Sequence, residues 1–285
     1  MCLDCLSEKE GIYVTRVLKE LRTVGWASEL LRRIDERGGI TAINKPLLFE
    51  ARFAYELFQR GIQVQYEFPA GIGASTIEFR IANSREWLIE LVSVCESAGM
   101  RLATKKSGNF FSTTLSSDNL IALEAEPKAA REKQKQSEEA EMITAQHKIG
   151  EKVLSRGQPT KFPCPSSAIH VILVDMRGYI REGGDWIDYR QIAYGPDGVP
   201  SDRKGFIHYW EDKPIRGLFE KLDKHPAQAA FLLQKRIHLL GFIAEKEYRE
   251  NEISDRAYWL PNPNLVSQAL EEEIKRTFFF GEKNA

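Results

Sequence analysis

The stretch that decides the fold is STIEFRIANSREWLIELV, residues 75–92, in which apolar and polar residues alternate on both sides of a polar tetrapeptide, residues 82–85. A period of two is typical of β-strands, and two such runs joined by a short polar segment predict a hairpin. A turn centred on Ser84 pairs Glu78 with Glu90. The opposite face of this hairpin is then uniformly apolar: Ile77, Phe79, Ile81, Trp87, Ile89 and Leu91. The pattern fixes the register, because a one-residue shift would separate the two apolar sets.

Two glutamates therefore face each other on neighbouring strands, with Cβ atoms about 4.5–5.5 Å apart. Like charges in this position destabilise a sheet unless a cation or a shared proton compensates them. Carboxylate oxygens can hold Mg²⁺, which would compensate both charges of Glu78 and Glu90. An ion pair with Arg80 is the alternative. The spacing alone leaves both interpretations open.

A helix before the hairpin brings a third acid. Pro46 suits a first helical position, and Gly61 follows the last turn. On a helical wheel Glu50 lies among apolar residues. A carboxylate in that setting needs a partner or keeps its proton, so Glu50 is a candidate ligand or water-orienting group. The alternative is a side chain that reaches solvent at the helix edge.

A helix after the hairpin, predicted from Glu141 to Arg156, carries two further candidates. Gln146 lies within its apolar stripe, so its amide needs buried partners. Lys152 flanks that stripe. It can be a solvated lysine or can turn towards the sheet, and the pattern leaves both open.

The remaining periodicity predicts the architecture. Alternation from Ile62 to Phe68 indicates another strand, and the β-branched run Ala168–Asp175 indicates a strand covered on both faces. The fold class is therefore α/β, with an αβββαβ core and a mixed sheet. We expect an N-terminal helical region (1–45), the core (46–180, with an insertion at about 97–140) and a mostly helical C-terminal extension (181–285) that includes one helix from Ala227 to Glu247.

Composition excludes several classes of protein. Forty Lys and Arg against 41 Asp and Glu leave a net charge of −1, so any nucleic-acid groove must be local. No apolar run approaches the roughly 20 residues that span a bilayer, and residues 1–10 lack the pattern of a secretion signal. We expect a cytoplasmic protein with no membrane partner. The four cysteines do not have the spacing of a disulfide framework or a zinc site.

The core resembles the PD-(D/E)XK, or restriction-endonuclease-like, nuclease superfamily over residues 46–176. Four points carry this resemblance: Glu50 in the first helix, Glu78 in the second strand, Glu90-Leu91-Val92 in the third strand and Gln146 in the following helix. It implies that Glu78 and Glu90 bind Mg²⁺ or Mn²⁺ and that Glu50 is an auxiliary acid. It also implies that a lysine orients or deprotonates the attacking water.

The chain departs from that family pattern at the lysine, whose position holds Val92. Some members of the superfamily supply the positive charge from the following helix, and Lys152 or the neighbouring Arg80 are the candidates here. Glu78 also replaces the commoner aspartate of the family.

The resemblance implies a Mg²⁺-dependent nuclease that hydrolyses phosphodiester bonds, with DNA rather than RNA as its substrate. The alternative is a catalytically inactive nuclease-like fold that serves as a nucleic-acid or protein interaction module. A third hypothesis is a small-ligand sensor that uses the acidic loop from Asp175 to Asp188. The run Phe278–Phe280 can close the core or form the contact of a homodimer, and both are left open.

Overall fold

The computed structural model describes residues 6–94, 104–107, 110–113, 138–179, 183–210, 212–220 and 228–280. The predicted insertion at about 97–140 lies largely outside these residues. The described α-helices are α1 (Glu8–Leu21), α2 (Ser28–Glu36), α3 (Lys45–Gln59), α4 (Glu138–Gly150), α5 (Trp186–Tyr194), α6 (Gln228–Arg236), α7 (Glu252–Arg256) and α8 (Gln268–Thr277). Short 3₁₀ helices cover Gly25–Ala27, Ala42–Asn44, Gly195–Gly198 and Ser201–Phe206.

Six strands form one mixed sheet. Their order across the sheet is β1 (Val64–Pro69), β2 (Thr76–Ala82), β3 (Glu86–Ser93), β8 (Ile169–Asp175), β11 (Leu239–Ile243) and β12 (Tyr258–Pro261). The central neighbours β3, β8 and β11 are parallel, and the outer neighbours are antiparallel. Three small hairpins complete the described strands: β4 (Thr104–Ser107) with β5 (Phe110–Thr113), β6 (Leu154–Ser155) with β7 (Gln158–Pro159), and β9 (Tyr209–Trp210) with β10 (Lys213–Pro214).

The order α3, β1, β2, β3, α4, β8 along the chain follows the predicted αβββαβ order, and the α/β class with a mixed sheet is confirmed. Helices cover both faces of the sheet. One buried cluster packs α1, α2 and α3 against one face, and a second packs α4, α5 and α6 against the other. The strand β8 lies between these clusters and is buried along its whole length, as its β-branched sequence predicts.

The predicted hairpin register is confirmed for the observed pairs, which run from Ala82↔Glu86 to Phe79↔Ile89. Five of the six predicted apolar residues share the cluster of α1–α3. The exception is Ile77, which packs in the opposite cluster. Ile77 lies beyond the last observed pair, at the point where the two strands stop pairing backbone to backbone.

Local sequence signals account for several helix ends. The hydroxyl of Ser7 accepts a hydrogen bond from the backbone N–H of Glu10 (3.1 Å) and so caps α1. At α5 the side chain of Asp185 accepts from the N–H groups of Ile187 and Asp188, while the side chain of Asp188 accepts from the N–H of Asp185. The helix α4 ends at Gly150, earlier than the predicted Arg156, and a Cβ at Gly150 would lie only 2.9 Å from the Cβ of Ala229.

The predicted helix from Ala227 to Glu247 is wrong beyond Arg236, and the C-terminal extension is less helical than expected. Residues Leu239–Ile243 form β11, which pairs with β8 in parallel and with β12 antiparallel. The apolar run that suggested a helix is instead a strand buried on both faces. Gly241 allows close packing there, because a Cβ at this position would lie 2.3 Å from the ring of Trp259.

The C-terminal phenylalanines close the core. Phe279 and Phe280 are buried, and their rings contact those of Phe53 and Trp87 at centroid distances of 5.2–6.0 Å. These two side chains are therefore not a surface for the expected homodimer contact. Among the described helices, none combines the length and the apolar character that a membrane crossing requires.

Candidate functional site

The two predicted acids lie where β2 and β3 part. Backbone pairing stops at Phe79↔Ile89. Beyond this pair, the side chains of Glu78 and Glu90 accept hydrogen bonds from the backbone of the opposite strand. The N–H of Glu78 donates to Oε1 of Glu90 (3.0 Å), and the N–H of Leu91 donates to Oε2 of Glu78 (2.6 Å). Both glutamates are buried, with exposed fractions of 7% and 0%. The strand opening thus holds both carboxylates inside the protein.

One lysine bridges the two acids. The Nζ of Lys152, two residues beyond α4, donates to Oε1 of Glu78 (2.8 Å) and to Oε2 of Glu90 (2.9 Å). Sequence reasoning named Lys152 as one source of the charge that Val92 does not supply. The other candidate, Arg80, binds Glu86 (2.5 Å) and Gln65 (2.7 Å) instead and does not approach the acid pair.

A second lysine, which the sequence analysis missed, also reaches the pair. The Nζ of Lys161 donates to Oε2 of Glu90 (2.5 Å), and its backbone N–H donates to Oγ of Ser75 (3.1 Å). Lys161 follows the β6–β7 hairpin in a segment without periodicity, so no pattern could have pointed to it. The four carboxylate oxygens of Glu78 and Glu90 each accept at least one bond from the protein.

Glu50 belongs to the same neighbourhood and has its own partners. The hydroxyl of Tyr66 donates to Oε2 of Glu50 (2.6 Å), and a guanidinium nitrogen of Arg33 lies 3.9 Å from the same oxygen. Only 6% of Glu50 is exposed, so the alternative of a side chain in solvent is wrong. Neither Tyr66 nor Arg33 was predicted, because β1 and α2 meet here only in the folded protein.

Two residues beside the acids have strained backbones. Glu67, with φ of 52°, interrupts the β1–β2 ladder between the pairs Tyr66↔Phe79 and Phe68↔Ile77. Its side chain binds Arg33 and Thr76. Lys161 has φ of 58°. Non-glycine residues with positive φ are uncommon, and strain of this kind clusters at functional sites.

Burial and charge separate the pKa values of the three acids. Burial, together with the charge of Glu78, raises the pKa of Glu90 to about 7 and that of Glu50 to about 8. Burial also acts to raise the pKa of Glu78, but the positive charges of Lys152 and Lys161 outweigh it and leave this pKa below its usual value. Glu78 is therefore the ionised member, and Glu90 and Glu50 can carry protons near neutral pH.

Gln146, which the sequence analysis places among the candidate catalytic residues, has its side-chain amide bound away from the acid pair. Its side-chain amide donates to the backbone carbonyls of Arg216 (2.7 Å) and Ile192 (3.2 Å). The residue is half-buried, where its place in the apolar stripe predicted full burial. Its amide ties α4 to α5 and to the segment after β10, which is a structural role.

The acidic loop after β8 also has structural partners. Asp175 binds the side chain of Arg177 through both of its oxygens (2.8 and 2.5 Å). Asp185 and Asp188 cap α5, and Asp188 also contacts His208 (3.0 Å). These contacts explain the three acids without a small ligand.

The donor set of the acid pair fits a hard divalent cation. The oxygens that share Lys152, Oε1 of Glu78 and Oε2 of Glu90, are of the type that Mg²⁺ prefers, and Mg²⁺ commonly takes one or two carboxylates and completes its shell with water and phosphate. Within the described parts of the chain, no group of three or more His, Cys, Asp or Glu side chains is arranged to hold a metal ion. Any cation here would rest on these two carboxylates.

We expect the metal-free protein to lose stability as the pH rises from about 6.5 to 8. The pKa of Glu50 is about 8 when folded against an ordinary value of 4.5, so the folded state binds more protons than the unfolded state in this range. The free energy of unfolding then falls with increasing pH. The pKa values of His170 and His238 are lowered to about 4 by burial, and they act in the opposite sense only below about 6.5.

Urea unfolding at several pH values in EDTA measures this slope. The variant Glu50→Gln lacks this titrating carboxyl and should make the slope shallower, while Glu90, whose pKa is raised to about 7, still contributes to it. An equally steep slope in Glu50→Gln would contradict the assignment of the raised pKa to Glu50.

Comparison of the chain with protein-family models, with curated proteins and with solved structures finds no match. The site itself comprises the buried acid pair Glu78 and Glu90, the lysines Lys152 and Lys161, and the third buried acid Glu50.

Proposed function

We propose that this chain is a Mg²⁺-dependent nuclease with a restriction-endonuclease-like core. The observation that carries the proposal is Lys152, which binds both Glu78 and Glu90 at the point where β2 and β3 part. Two acids from adjacent strands and one lysine from the end of the following helix are the three parts that the family resemblance requires. Val92 occupies the position of the family lysine, and we propose that Lys152 supplies the positive charge in its place.

The roles of the residues follow from their contacts. Glu78 and Glu90 would hold Mg²⁺, which when bound activates water and stabilises charge on the leaving oxygen. Lys152 places a positive charge between the two carboxylates and would stabilise the negative charge of the phosphate. Lys161 adds a second positive charge at Glu90. These two cations let a buried acid pair exist before any substrate arrives.

Glu50 is suited to hold a proton in this mechanism. Its raised pKa of about 8 means that it is largely protonated at neutral pH, and Tyr66 fixes one of its oxygens. A group whose pKa lies near the working pH can give and take protons efficiently. Glu50 would therefore act as the auxiliary acid beside the metal ligands.

We further propose DNA as the substrate and the cytoplasm as the location. The proposed metal-assisted mechanism acts on a phosphodiester, and the resemblance is to enzymes that act on DNA. The free, exposed Cys164 is compatible with a reducing compartment, where thiols persist.

The second candidate is a non-catalytic module with the same fold. The observation that favours it is the complete satisfaction of the acid pair, since every oxygen of Glu78 and Glu90 already accepts a hydrogen bond from the protein. In such a module the two lysines would be permanent partners of the acids. Binding of nucleic acid would then persist without hydrolysis.

A cleavage assay on the full chain separates the two candidates. We expect purified protein to cut labelled DNA when Mg²⁺ or Mn²⁺ is present and not in EDTA, because the acid pair alone cannot activate water. Single-stranded DNA, duplex DNA and RNA of one sequence serve as parallel substrates. Cutting that survives EDTA would exclude the proposed mechanism, and binding without any cutting would favour the module.

A further inference from the structure

The β6–β7 hairpin carries an arginine that the acid pair does not use. The pairs Leu154↔Pro159 and Ser155↔Gln158 leave a two-residue turn, Arg156-Gly157. Lys152 precedes this hairpin and Lys161 follows it. One ten-residue segment therefore supplies both lysines of the site and a further positive charge at its tip.

The charge of Arg156 has no structural partner among the described residues. Its side chain is exposed, and no described residue forms an ion pair or hydrogen bond with it. The neighbouring acid Glu151 already binds Lys148 (2.9 Å). Since Lys152 and Lys161 compensate the buried acids, Arg156 is not needed to neutralise them.

Arg156 has an energetically unfavourable backbone conformation. Arg156 has φ of 50° and Gly157 has φ of 75°, so both turn residues lie in the left-handed region, as tight hairpins of the mirror-image type require. Asn, Asp or Gly is favoured at the first of these positions because arginine adopts positive φ unfavourably. Arg156 thus combines an unfavourable backbone conformation with an exposed guanidinium that has no partner among the described residues, and this combination points to a role in binding.

The hairpin is held firmly enough to present that side chain. The N–H of Thr160 donates to the carbonyl of Val153 (3.0 Å) and closes its base. The N–H of Lys161 is fixed to Ser75, at the other side of the site. The tip thus belongs to a short element of defined geometry, whose flanking residues Lys152 and Lys161 both bind Glu90.

We propose that this hairpin is a nucleic-acid docking element, in which Arg156 binds a backbone phosphate of the strand that enters the site. The inference rests on the proposed nuclease function. An arginine fork matches the geometry of phosphate oxygens, and phosphate contacts position a substrate without reading its sequence. Arg156 lies four positions after Lys152, which at about 3.5 Å per extended residue is a reach of at most about 14 Å along the chain.

The test measures binding of a labelled oligonucleotide by fluorescence anisotropy in EDTA, over a series of NaCl concentrations. The variant is Arg156→Asn, which creates the favoured Asn-Gly turn. We expect affinity about 5-fold lower and a log–log salt slope reduced by about 0.7 to 0.9, as for one lost phosphate contact. The melting temperature should be unchanged or higher, whereas a purely structural role for Arg156 would lower it.

The matched control is Arg276→Gln, which removes an exposed positive charge from α8. It should bind as the wild type does. The inference is overturned if Arg156→Asn behaves like this control or if the wild type binds no oligonucleotide. It is also overturned if Arg156→Asn weakens binding of poly-glutamate as much as binding of the oligonucleotide, which would indicate an acidic protein partner. Mg²⁺-dependent cutting with no effect of Arg156→Asn would leave the nuclease standing without this docking element. An effect of Arg156→Asn without cutting would contradict the nuclease alone.

Discussion

Replacing Glu90 with Gln is expected to reduce Mg²⁺-dependent cleavage by at least about 100-fold. Loss of a residue that only hydrogen-bonds to a metal ligand already lowers metal affinity or activity about 10- to 100-fold. Glu90 would bind the cation directly, so its loss should cost at least as much. The fold should survive this change. The side-chain oxygen of Gln can still accept from the N–H of Glu78, and the repulsion between two buried carboxylates disappears.

The measurements for Glu90→Gln are initial cleavage rates over a Mg²⁺ titration, together with the urea midpoint. A control on the same strand is Glu86→Gln, since Glu86 is partly exposed and pairs with Arg80. It should change neither rate nor midpoint appreciably. If Glu90→Gln cleaves at the wild-type rate, the acid pair is not the catalytic centre. If it binds DNA normally and the wild type does not cleave either, the interaction module is favoured.

Replacing Arg52 with Met is expected to lower the free energy of unfolding by about 3 to 5 kcal/mol. Arg52 is 1% exposed and donates to Glu245 (2.8 Å) and to Glu10 (3.1 Å), deep between α3, α1 and the end of β11. Met fills similar volume without the charge. Among the described residues, Arg177 is then the cation that remains beside the two carboxylates, and part of their charge is left buried and unpaired.

Urea unfolding of Arg52→Met measures this loss, and Arg16→Met is its control because the pair of Arg16 with Glu250 is exposed. The double variant Arg52→Met with Glu245→Gln should recover part of the stability, since it removes the charge left behind. If the double variant loses as much free energy of unfolding as the two single variants together, the ion pair with Glu245 is not the source of the stability that Arg52 provides.

Much of the site could be predicted because it rests on short-range periodicity. Alternation through residues 75–92 predicted the observed strand pairing from Ala82↔Glu86 to Phe79↔Ile89, although it placed Ile77 in the wrong cluster. The place of Lys152 beside an apolar stripe kept it as a candidate.

The parts that could not be predicted depend on contacts between distant segments. Lys161 reaches Glu90 from a loop without periodicity, and Arg33 meets Glu50 and Tyr66 across two elements. The stripe on α4 predicted a buried Gln146, which is half-buried, and a stripe does not say which partners satisfy an amide. Backbone carbonyls did so, and no pattern in the sequence encodes them.

The place of β8 in the sheet has a consequence for how the chain can be divided. β8 pairs with β3 on one side and with β11 on the other, so two of the six strands come from residues beyond 181. A fragment that stopped at the expected core boundary would leave β8 with a bare edge of apolar residues. Such edges recruit strands from other molecules, and the fragment would be prone to aggregate rather than to act as a minimal nuclease.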